Sequence, residues 1–182
     1  MKSELKPFLE RIAGEHPDRS RVVFICIGSD RSTGDSFGPL IGSMLKERGW
    51  TNVIGTLEQP CDAHAVEHAA LTLQEDAVVI AIDACLGKPK SIGAYITAEG
   101  PLQPGKAIGR RLPPIGSYSI AGVVNMNGPK AYWMLQTTSL YRVMQMAKEV
   151  SEAIDAAWGR NEQQQSIGKH NKTKTHKGVF MP

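Results

Sequence analysis

The sequence predicts an α/β fold in which helices cover a mostly parallel sheet. Two continuous apolar runs, residues 21–28 and 76–83, have the β-branched composition of strands that are buried on both faces. Segments with helical periodicity alternate with strand-like segments, so the order along the chain is strand, helix, strand, helix, strand. This alternation is typical of a parallel sheet whose crossover connections are helical.

The elements between these two strands follow from local signals. A helix is predicted over residues 37–48, because apolar residues recur there at helical spacing before Gly49. A short second strand is predicted over residues 52–57. A second helix, residues 63–73, begins after Asp62, a residue type that favours the N-cap position.

After Asp83 the pattern predicts two further strands, over residues 91–97 and 119–124. The segment between them, residues 100–118, is rich in Pro and Gly. A loop of this length inside a domain is usually a binding or lid element, or else a mobile connector. A last helix is predicted from residue 139 to about 158, with an apolar stripe that indicates packing against the core.

Charge and composition divide the 182 residues into one domain, residues 1–160, and a disordered Lys-rich tail, residues 161–182. The chain has 21 Lys and Arg against 18 Asp and Glu, a formal net charge of +3. Four of those basic residues and one of the acidic residues lie in the tail. The domain is therefore formally neutral, and we expect no nucleic-acid partner.

The sequence also predicts compartment and membrane behaviour. The longest apolar runs, residues 22–27 and 77–82, are too short to cross a bilayer. Residues 1–13 mix charged with apolar residues and lack the hydrophobic stretch of a signal peptide. The odd number of cysteines, three, indicates reduced thiols. We therefore expect a cytoplasmic protein with no membrane partner.

The glycine-rich loop over residues 28–38 lies where nucleotide-binding folds hold phosphate. Its glycines lack the spacing of the dinucleotide motif, and Asp35 stands where a P-loop has Lys. A carboxylate at that point would repel phosphate, so no nucleotide cofactor is predicted. Two interpretations of Asp35 stay open here: it is a functional carboxylate, or it is the N-cap of the following helix.

Asp83 ends the most apolar strand of the chain. In open α/β sheets the ligand cleft lies beyond the carboxyl ends of the strands. If the strand order is 2-1-3, the loop that carries Asp35 and the end of the third strand meet at one cleft. An acidic residue in that position costs free energy unless it is paired or functional, and both explanations stay open.

Two carboxylates at one cleft admit two chemistries. They can share a proton and activate a water against an amide, or they can hold a metal ion with a third ligand, typically His. His64 and His68 have a spacing that can bind metal, with Cys61 and Asp62 just before them. Surface positions are the commoner explanation of such pairs. Cys61 near His64 also suggests a thiol nucleophile, although no triad signature surrounds it.

Charged residues in other loops are candidates for lining the same cleft. Lys88, Lys90, Arg110 and Arg111 would favour an acidic substrate, and solvated loop charges explain them equally well. Glu58, near the end of the second strand, has the same two explanations.

Four ordered blocks of sequence resemble a known family. The blocks IGSDRSTGDSFGP, EQPCDAHA, AIDACLG and PPIGSYSIAGVVN resemble the YyaC family of sporulation proteins, and the similarity extends over residues 24–150. The segments 34–39 and 80–84 also resemble the two aspartate motifs of the bacterial spore germination protease.

This resemblance implies a phosphorylase/hydrolase-like fold with three layers, α/β/α, as in the hydrogenase maturation proteases. It implies an atypical aspartic-type endopeptidase of the developing spore, with Asp35 and Asp83 as the catalytic residues and without a cofactor. Hydrogenase maturation proteases have in addition a His that helps to bind the nickel of their substrate. After Asp83 this chain has His170 and His176 alone, both in the tail, so no metal is expected.

The sequence therefore predicts a sporulation-associated endopeptidase whose aspartate pair activates water to cleave a spore protein. Its partner would be a protein or peptide substrate. The alternative is a non-enzymatic or metal-binding sporulation factor that retains the same fold. The sequence leaves open which aspartate is the base, any zymogen step, and the oligomeric state, a homo-oligomer included.

Overall fold

The protein is described here by a computed structural model that covers residues 4–74, 76–104 and 112–174. Within these residues it has five strands and five α-helices. The helices are α1 (Leu5–Glu15), α2 (Phe37–Glu47), α3 (Ala63–Thr72), α4 (Ala131–Gln136) and α5 (Leu140–Lys174). The strands are β1 (Val22–Cys26), β2 (Val53–Ile54), β3 (Val78–Gly87), β4 (Tyr95–Glu99) and β5 (Tyr118–Met126).

The five strands form one sheet in the order β2-β1-β3-β5-β4. Four of them run parallel, and β4 pairs antiparallel with β5 at one edge. The predicted order 2-1-3 and the mostly parallel sheet are thereby confirmed. The register places Cys26 of β1 beside Ile82 of β3, so the carboxyl ends of these two strands lie at the same edge.

Helices cover both faces of the sheet, which confirms the three-layer α/β/α architecture. On one face α1, α2 and α5 enclose a large cluster that contains Phe24 and Trp158. On the other face α3 covers a smaller cluster that contains Val79 and Ala81. Because alternate residues of a strand face opposite sides, Asp83 lies on the α3 side together with Val79 and Ala81.

An aromatic cluster fixes α5 near the start of β1. The rings of Phe24, Trp50 and Trp158 pack edge to face, with centroids 4.9 to 6.2 Å apart. Such pairs add about 0.5–1.5 kcal/mol each beyond the burial of their area. The indole nitrogen of Trp158 donates to the carbonyl oxygen of His16 at 2.9 Å. Since His16 precedes β1, α5 crosses the sheet and reaches its amino edge at Trp158.

The strand β4 begins four residues later than predicted. Residues Pro89–Ser91 form a short 3₁₀ turn, and Gly93 has a φ of +85°. The chain therefore turns twice before it extends at Tyr95. Beyond β4, Leu102 and Ile115 pair across the long loop with backbone hydrogen bonds of 2.8 and 3.0 Å.

The helix α5 continues further than the sequence predicts. It extends to Lys174, so the predicted end near Trp158 is wrong. Residues 160–167 contain no Pro and several good helix formers, and a helix that is already anchored by packing extends through them without a new nucleus. Residues 175–182 lie outside the described residues. The division into a domain, residues 1–160, and a tail, residues 161–182, stays a prediction.

Two helices, α1 and α4, were not predicted. The apolar residues of α1 lie three or four apart, but Pro7 and Gly14 weaken its helical signal. The six residues of α4 are too few to display a period. In the described part of the chain no helix has both the length and the hydropathy that crossing a bilayer requires.

Candidate active site

The loop between β1 and α2 is held by very close backbone contacts. A Cβ on Gly28, whose φ is +144°, would lie 1.9 Å from the carbonyl oxygen of Asp35. A Cβ on Gly38 would lie 2.1 Å from the carbonyl oxygen of Ile27. These positions accept glycine alone without rearrangement. The start of α2 therefore packs against the end of β1, and Asp35 is placed at the carboxyl edge of the sheet.

Asp35 does not cap α2. The N-cap residue is Ser36, and no side chain makes a capping hydrogen bond there. The interpretation of Asp35 as a helix cap is therefore wrong. Asp62 does cap its helix as predicted, since the Ala65 amide donates to Asp62 Oδ1 at 3.1 Å.

Asp35 is partly buried. Burial raises the pKa of Asp35 above its ordinary value, and the hydroxyl of Ser32 opposes this rise. Ser32 is itself buried, and its Oγ meets no described residue at good hydrogen-bond geometry. The Ser32 hydroxyl therefore lies beside the Asp35 carboxyl and can form a further hydrogen bond.

Asp83 lies on β3 beside Ala121 of β5, just before an irregularity in the pairing between Cys85 and Leu86. The Ala84 amide donates to Asp83 Oδ1 at 2.8 Å. Burial raises the pKa of Asp83 to about 8, the hydrogen bond from Ala84 lowers it, and the charge of Asp35 raises it further. Asp83 is thus mainly protonated at neutral pH.

The structure brings Asp35 and Asp83 together, as the predicted strand order requires. Each carboxyl is held by a different strand end, and the charge of Asp35 acts directly on the Asp83 carboxyl. Two carboxyls that interact in a partly buried site titrate as a coupled pair. Such a pair can act at once as an acid and as a base.

Two thiols flank the carboxyl pair. Burial and then the charges of Asp62 and Asp83 raise the pKa of Cys61 to about 12. Burial and Asp83 raise the pKa of Cys85 to about 11. All three cysteines are free, and burial also raises the pKa of Cys26. Because the thiolate is the reactive form, the raised pKa of Cys61 does not favour this residue as a nucleophile.

The described residues contain no candidate metal site. Among the described residues, no group of three His, Cys, Asp or Glu side chains lies close enough to hold one. His68 is exposed on α3, and the side chain of His64 lies outside the described part.

The helix α4 forms part of the site, a role that the sequence did not reveal. The Gly34 amide donates to the Leu135 carbonyl oxygen at 2.8 Å. The Asn125 side chain donates to the Met134 carbonyl oxygen at 2.8 Å and so joins α4 to the end of β5. Asn125 at the end of an apolar strand is the sequence signal that points to this edge.

The other candidate charges were predicted in loops near the ends of the strands. Lys88 and Lys90 are exposed in and beside the 3₁₀ turn that follows β3. Arg110 and Arg111 lie outside the described residues. Glu58 lines a cavity of about 620 Å³ beside β2, and Cys61 forms part of the wall of that cavity.

Comparison with known proteins gives two sequence matches. Residues 1–153 match the family model described as "protein of unknown function (DUF1256)". The Bacillus subtilis (strain 168) protein named "Uncharacterized protein YyaC" is 44% identical over 140 residues, which are 73% of this chain and 67% of that protein.

Solved structures with a similar fold include two from Thermococcus kodakarensis. The NiFe hydrogenase maturation protease HycI, of strain KOD1, has a TM-score of 0.50 and 22% identity, covering 81% of this chain and 98% of its own. The NiFe hydrogenase maturation protease HybD has a TM-score of 0.47 and 15% identity, and the match covers 74% of this chain and 99% of HybD. At 22% identity, the match to HycI establishes a shared fold.

Proposed function

Because this chain belongs to the DUF1256 family and has the fold of a hydrogenase maturation protease, we propose that it is an endopeptidase whose Asp35 and Asp83 activate water. The similarity of four sequence blocks to sporulation proteins supports a spore protein as its substrate. The proposal includes a cytoplasmic location in the developing spore.

One observation carries the proposal: two carboxyls with raised pKa values meet at the carboxyl edge of a parallel sheet. This edge is where open α/β folds bind ligands. Neither carboxyl has a capping role, and neither belongs to a salt bridge among the described residues. The hydrogen bond from Ala84 offsets only part of the cost of burying Asp83, and catalysis is the use of such a pair that best accounts for that cost.

The raised pKa of Asp83 supports its assignment as the acid. Asp83, whose pKa is about 8, holds the proton at neutral pH, and Asp35 acts as the base. As water attacks the amide carbon, Asp35 takes a proton from the water and Asp83 gives its proton to the carbonyl oxygen. When the tetrahedral intermediate breaks down, Asp35 passes its proton to the leaving nitrogen and Asp83 regains a proton from the new hydroxyl.

Ser32 supports the same assignment. Its Oγ lies beside Asp35 and makes no hydrogen bond of good geometry to a described residue. A hydroxyl in that position can orient the attacking water and leaves Asp35 free to take the proton of that water.

The test is a cleavage assay on peptides from digested spore extract, with new termini identified by mass spectrometry. We expect the purified wild-type protein to produce a reproducible set of cuts and Asp35→Asn and Asp83→Asn to produce none. Asp30→Asn, which removes an exposed carboxyl from the same loop, is the matched control and should cut like the wild type. Circular dichroism confirms that each variant is folded.

Two outcomes would overturn the proposal. Cuts that persist in both aspartate variants would come from another group or a contaminant. A folded wild type that cuts nothing under any condition would favour the alternative, a sporulation factor that keeps the fold without the activity.

A further inference from the structure

Large apolar side chains are exposed mainly in one region of the protein. Nine such side chains are exposed among the described residues, and six of them fall between residues 126 and 144. We call these six the aromatic rim: Met126, Tyr132, Trp133, Leu140, Tyr141 and Met144. Exposed large apolar side chains that cluster on neighbouring elements often mark a binding surface.

The aromatic rim lies on elements that adjoin the loop of Asp35. Its residues lie on the end of β5, on α4 and on the first turns of α5. The same α4 packs against the loop of Asp35 through the hydrogen bond from Gly34 to Leu135. The helix that carries Tyr132 and Trp133 is therefore the helix that contacts the loop of Asp35.

Two exposed basic residues, Lys130 and Arg142, lie among the rim residues. Residues 100–148 contain no Asp or Glu, so all 18 acidic residues of the chain lie elsewhere. The same stretch contains six basic residues: Lys106, Arg110, Arg111, Lys130, Arg142 and Lys148. Lys130 and Arg142 are exposed within the rim, and neither forms a salt bridge with a described residue.

We propose that the aromatic rim docks a protein segment that combines acidic with apolar residues. This inference rests on the proposed function, since it names the class of substrate segment that the carboxyl pair would receive. Apolar side chains of the segment would cover Tyr132 and Trp133, and its carboxylates would approach Lys130 and Arg142. Oppositely charged surfaces of this kind mainly increase the association rate and the specificity.

A protein segment fits the rim better than a single-stranded nucleic acid does. Three of the six rim residues are Met or Leu, whose flexible aliphatic chains pack against irregular apolar side chains. Stacking of bases would require mostly aromatic faces.

Trp133 provides a direct reporter of docking. It is 61% exposed, whereas the other two tryptophans, Trp50 and Trp158, are 3% and 0% exposed. The probe is a fluorescein-labelled peptide of Glu, Leu and Ser, with a counterpart in which Lys replaces Glu. We expect the unlabelled Glu peptide to shift the tryptophan emission to the blue and to protect it from acrylamide quenching, and the Lys peptide to do neither.

The variants are measured by fluorescence anisotropy of the labelled peptide, in the Asp35→Asn background so that cleavage cannot intervene. Trp133→Ser and Lys130→Glu should each weaken binding by roughly tenfold, the loss expected at a central interface residue. Leu71→Ser, which removes an 86% exposed side chain from α3, should leave binding unchanged.

The remaining outcomes overturn the proposal. Equal binding of the two peptides, or no binding of either, would contradict the proposed chemistry of the segment. Saturable binding of a labelled oligothymidylate in place of the peptide would mean that the rim binds nucleic acid. Protection of Trp133 that increases with the concentration of the protein alone would mean that a second copy of this chain covers the rim. Because binding is read in a variant that lacks one catalytic carboxyl, a failed cleavage assay and a failed docking assay are independent results.

Discussion

The Gly34 amide donates to the Leu135 carbonyl oxygen at 2.8 Å, and the two residues lie so close that a side chain at position 34 does not fit between them. A Cβ on Gly34 would be 2.9 Å from that carbonyl oxygen and 3.0 Å from the Leu135 Cα. The short helix α4 thus supports the residue that precedes Asp35. A helix of six residues is not stable alone, so the loop and α4 stabilise each other.

Gly34→Ala should separate the loop from α4. We expect it to destabilise the protein by about 1–3 kcal/mol, the usual cost of overpacking, and to lower peptide cleavage more than this stability loss explains. Urea unfolding and the cleavage assay measure the two effects. Gly14→Ala is the control, since a Cβ there meets nothing within 4 Å. Because this substitution replaces a glycine within α1, it should raise the free energy of unfolding by about 0.5–1 kcal/mol. Wild-type activity in Gly34→Ala would contradict the role given to α4.

Asp83→Asn should stabilise the protein increasingly as the pH rises. The folded state holds a proton on Asp83 up to about pH 8, whereas the unfolded state releases it near pH 3.8. Between these values the folded state binds more protons, so this group makes the free energy of unfolding fall with rising pH, by at most about 1.4 kcal/mol per pH unit. The asparagine removes that fall and can still accept the hydrogen bond from Ala84.

The measurement is urea unfolding of wild type and Asp83→Asn from pH 4 to pH 9. The difference in the free energy of unfolding should widen up to about pH 8 and then level off. Asp30→Asn serves as the control for loss of a carboxyl in the same region. A difference that stays constant with pH would mean that Asp83 is ionised in the folded protein.

Cleavage should have a bell-shaped pH profile. Activity should rise as Asp35 ionises, at a pH above the ordinary range for Asp, and should fall near pH 8 as Asp83 loses its proton. The two apparent values belong to the coupled pair rather than to single residues. The profile of kcat/KM over the pH range in which circular dichroism shows a folded protein measures both limbs. A profile without an alkaline limb would remove Asp83 as the acid.

The thiols beside the pair should be unreactive in the folded protein. With pKa values of about 12 and 11, Cys61 and Cys85 are almost entirely protonated at pH 8. Alkylation by iodoacetamide should therefore be at least roughly tenfold slower than in urea, since the thiolate is the reacting form. Mass spectrometry follows the labelling. Cys61→Ser should retain cleavage. Loss of cleavage in this variant, together with rapid labelling of Cys61 in the folded wild type, would instead support Cys61 as a nucleophile.

Much of the fold was predictable because its central strands are buried on both faces. Continuous apolar composition identified β1 and β3, and helical periodicity identified α2 and α3. The periphery was less predictable, because α4 is too short for a period and the end of α5 carries no breaker. The late start of β4 depends on the turn at Gly93, which local composition does not reveal.

The sequence predicted the positions of the two candidate carboxyls but not the residues that hold their loop in place. Asp35 and Asp83 follow from topology, since neighbouring parallel strands end at one edge. Leu135 contributes a backbone carbonyl to the loop and Ser32 a hydroxyl, and neither contact depends on a residue type with a sequence signature. The assignment of acid and base needed the burial of each carboxyl, which is a property of the folded chain.

The path of α5 determines how the protein can be immobilised or joined to another protein. The helix starts beside α4, near the carboxyl pair, and reaches the opposite edge of the sheet where Trp158 packs on Trp50. A fusion partner or a solid support attached after Lys174 would therefore sit at the far end from the site. Such a tethered protein should present the site to the solution, which suits affinity capture of protein substrates by an inactive variant such as Asp35→Asn.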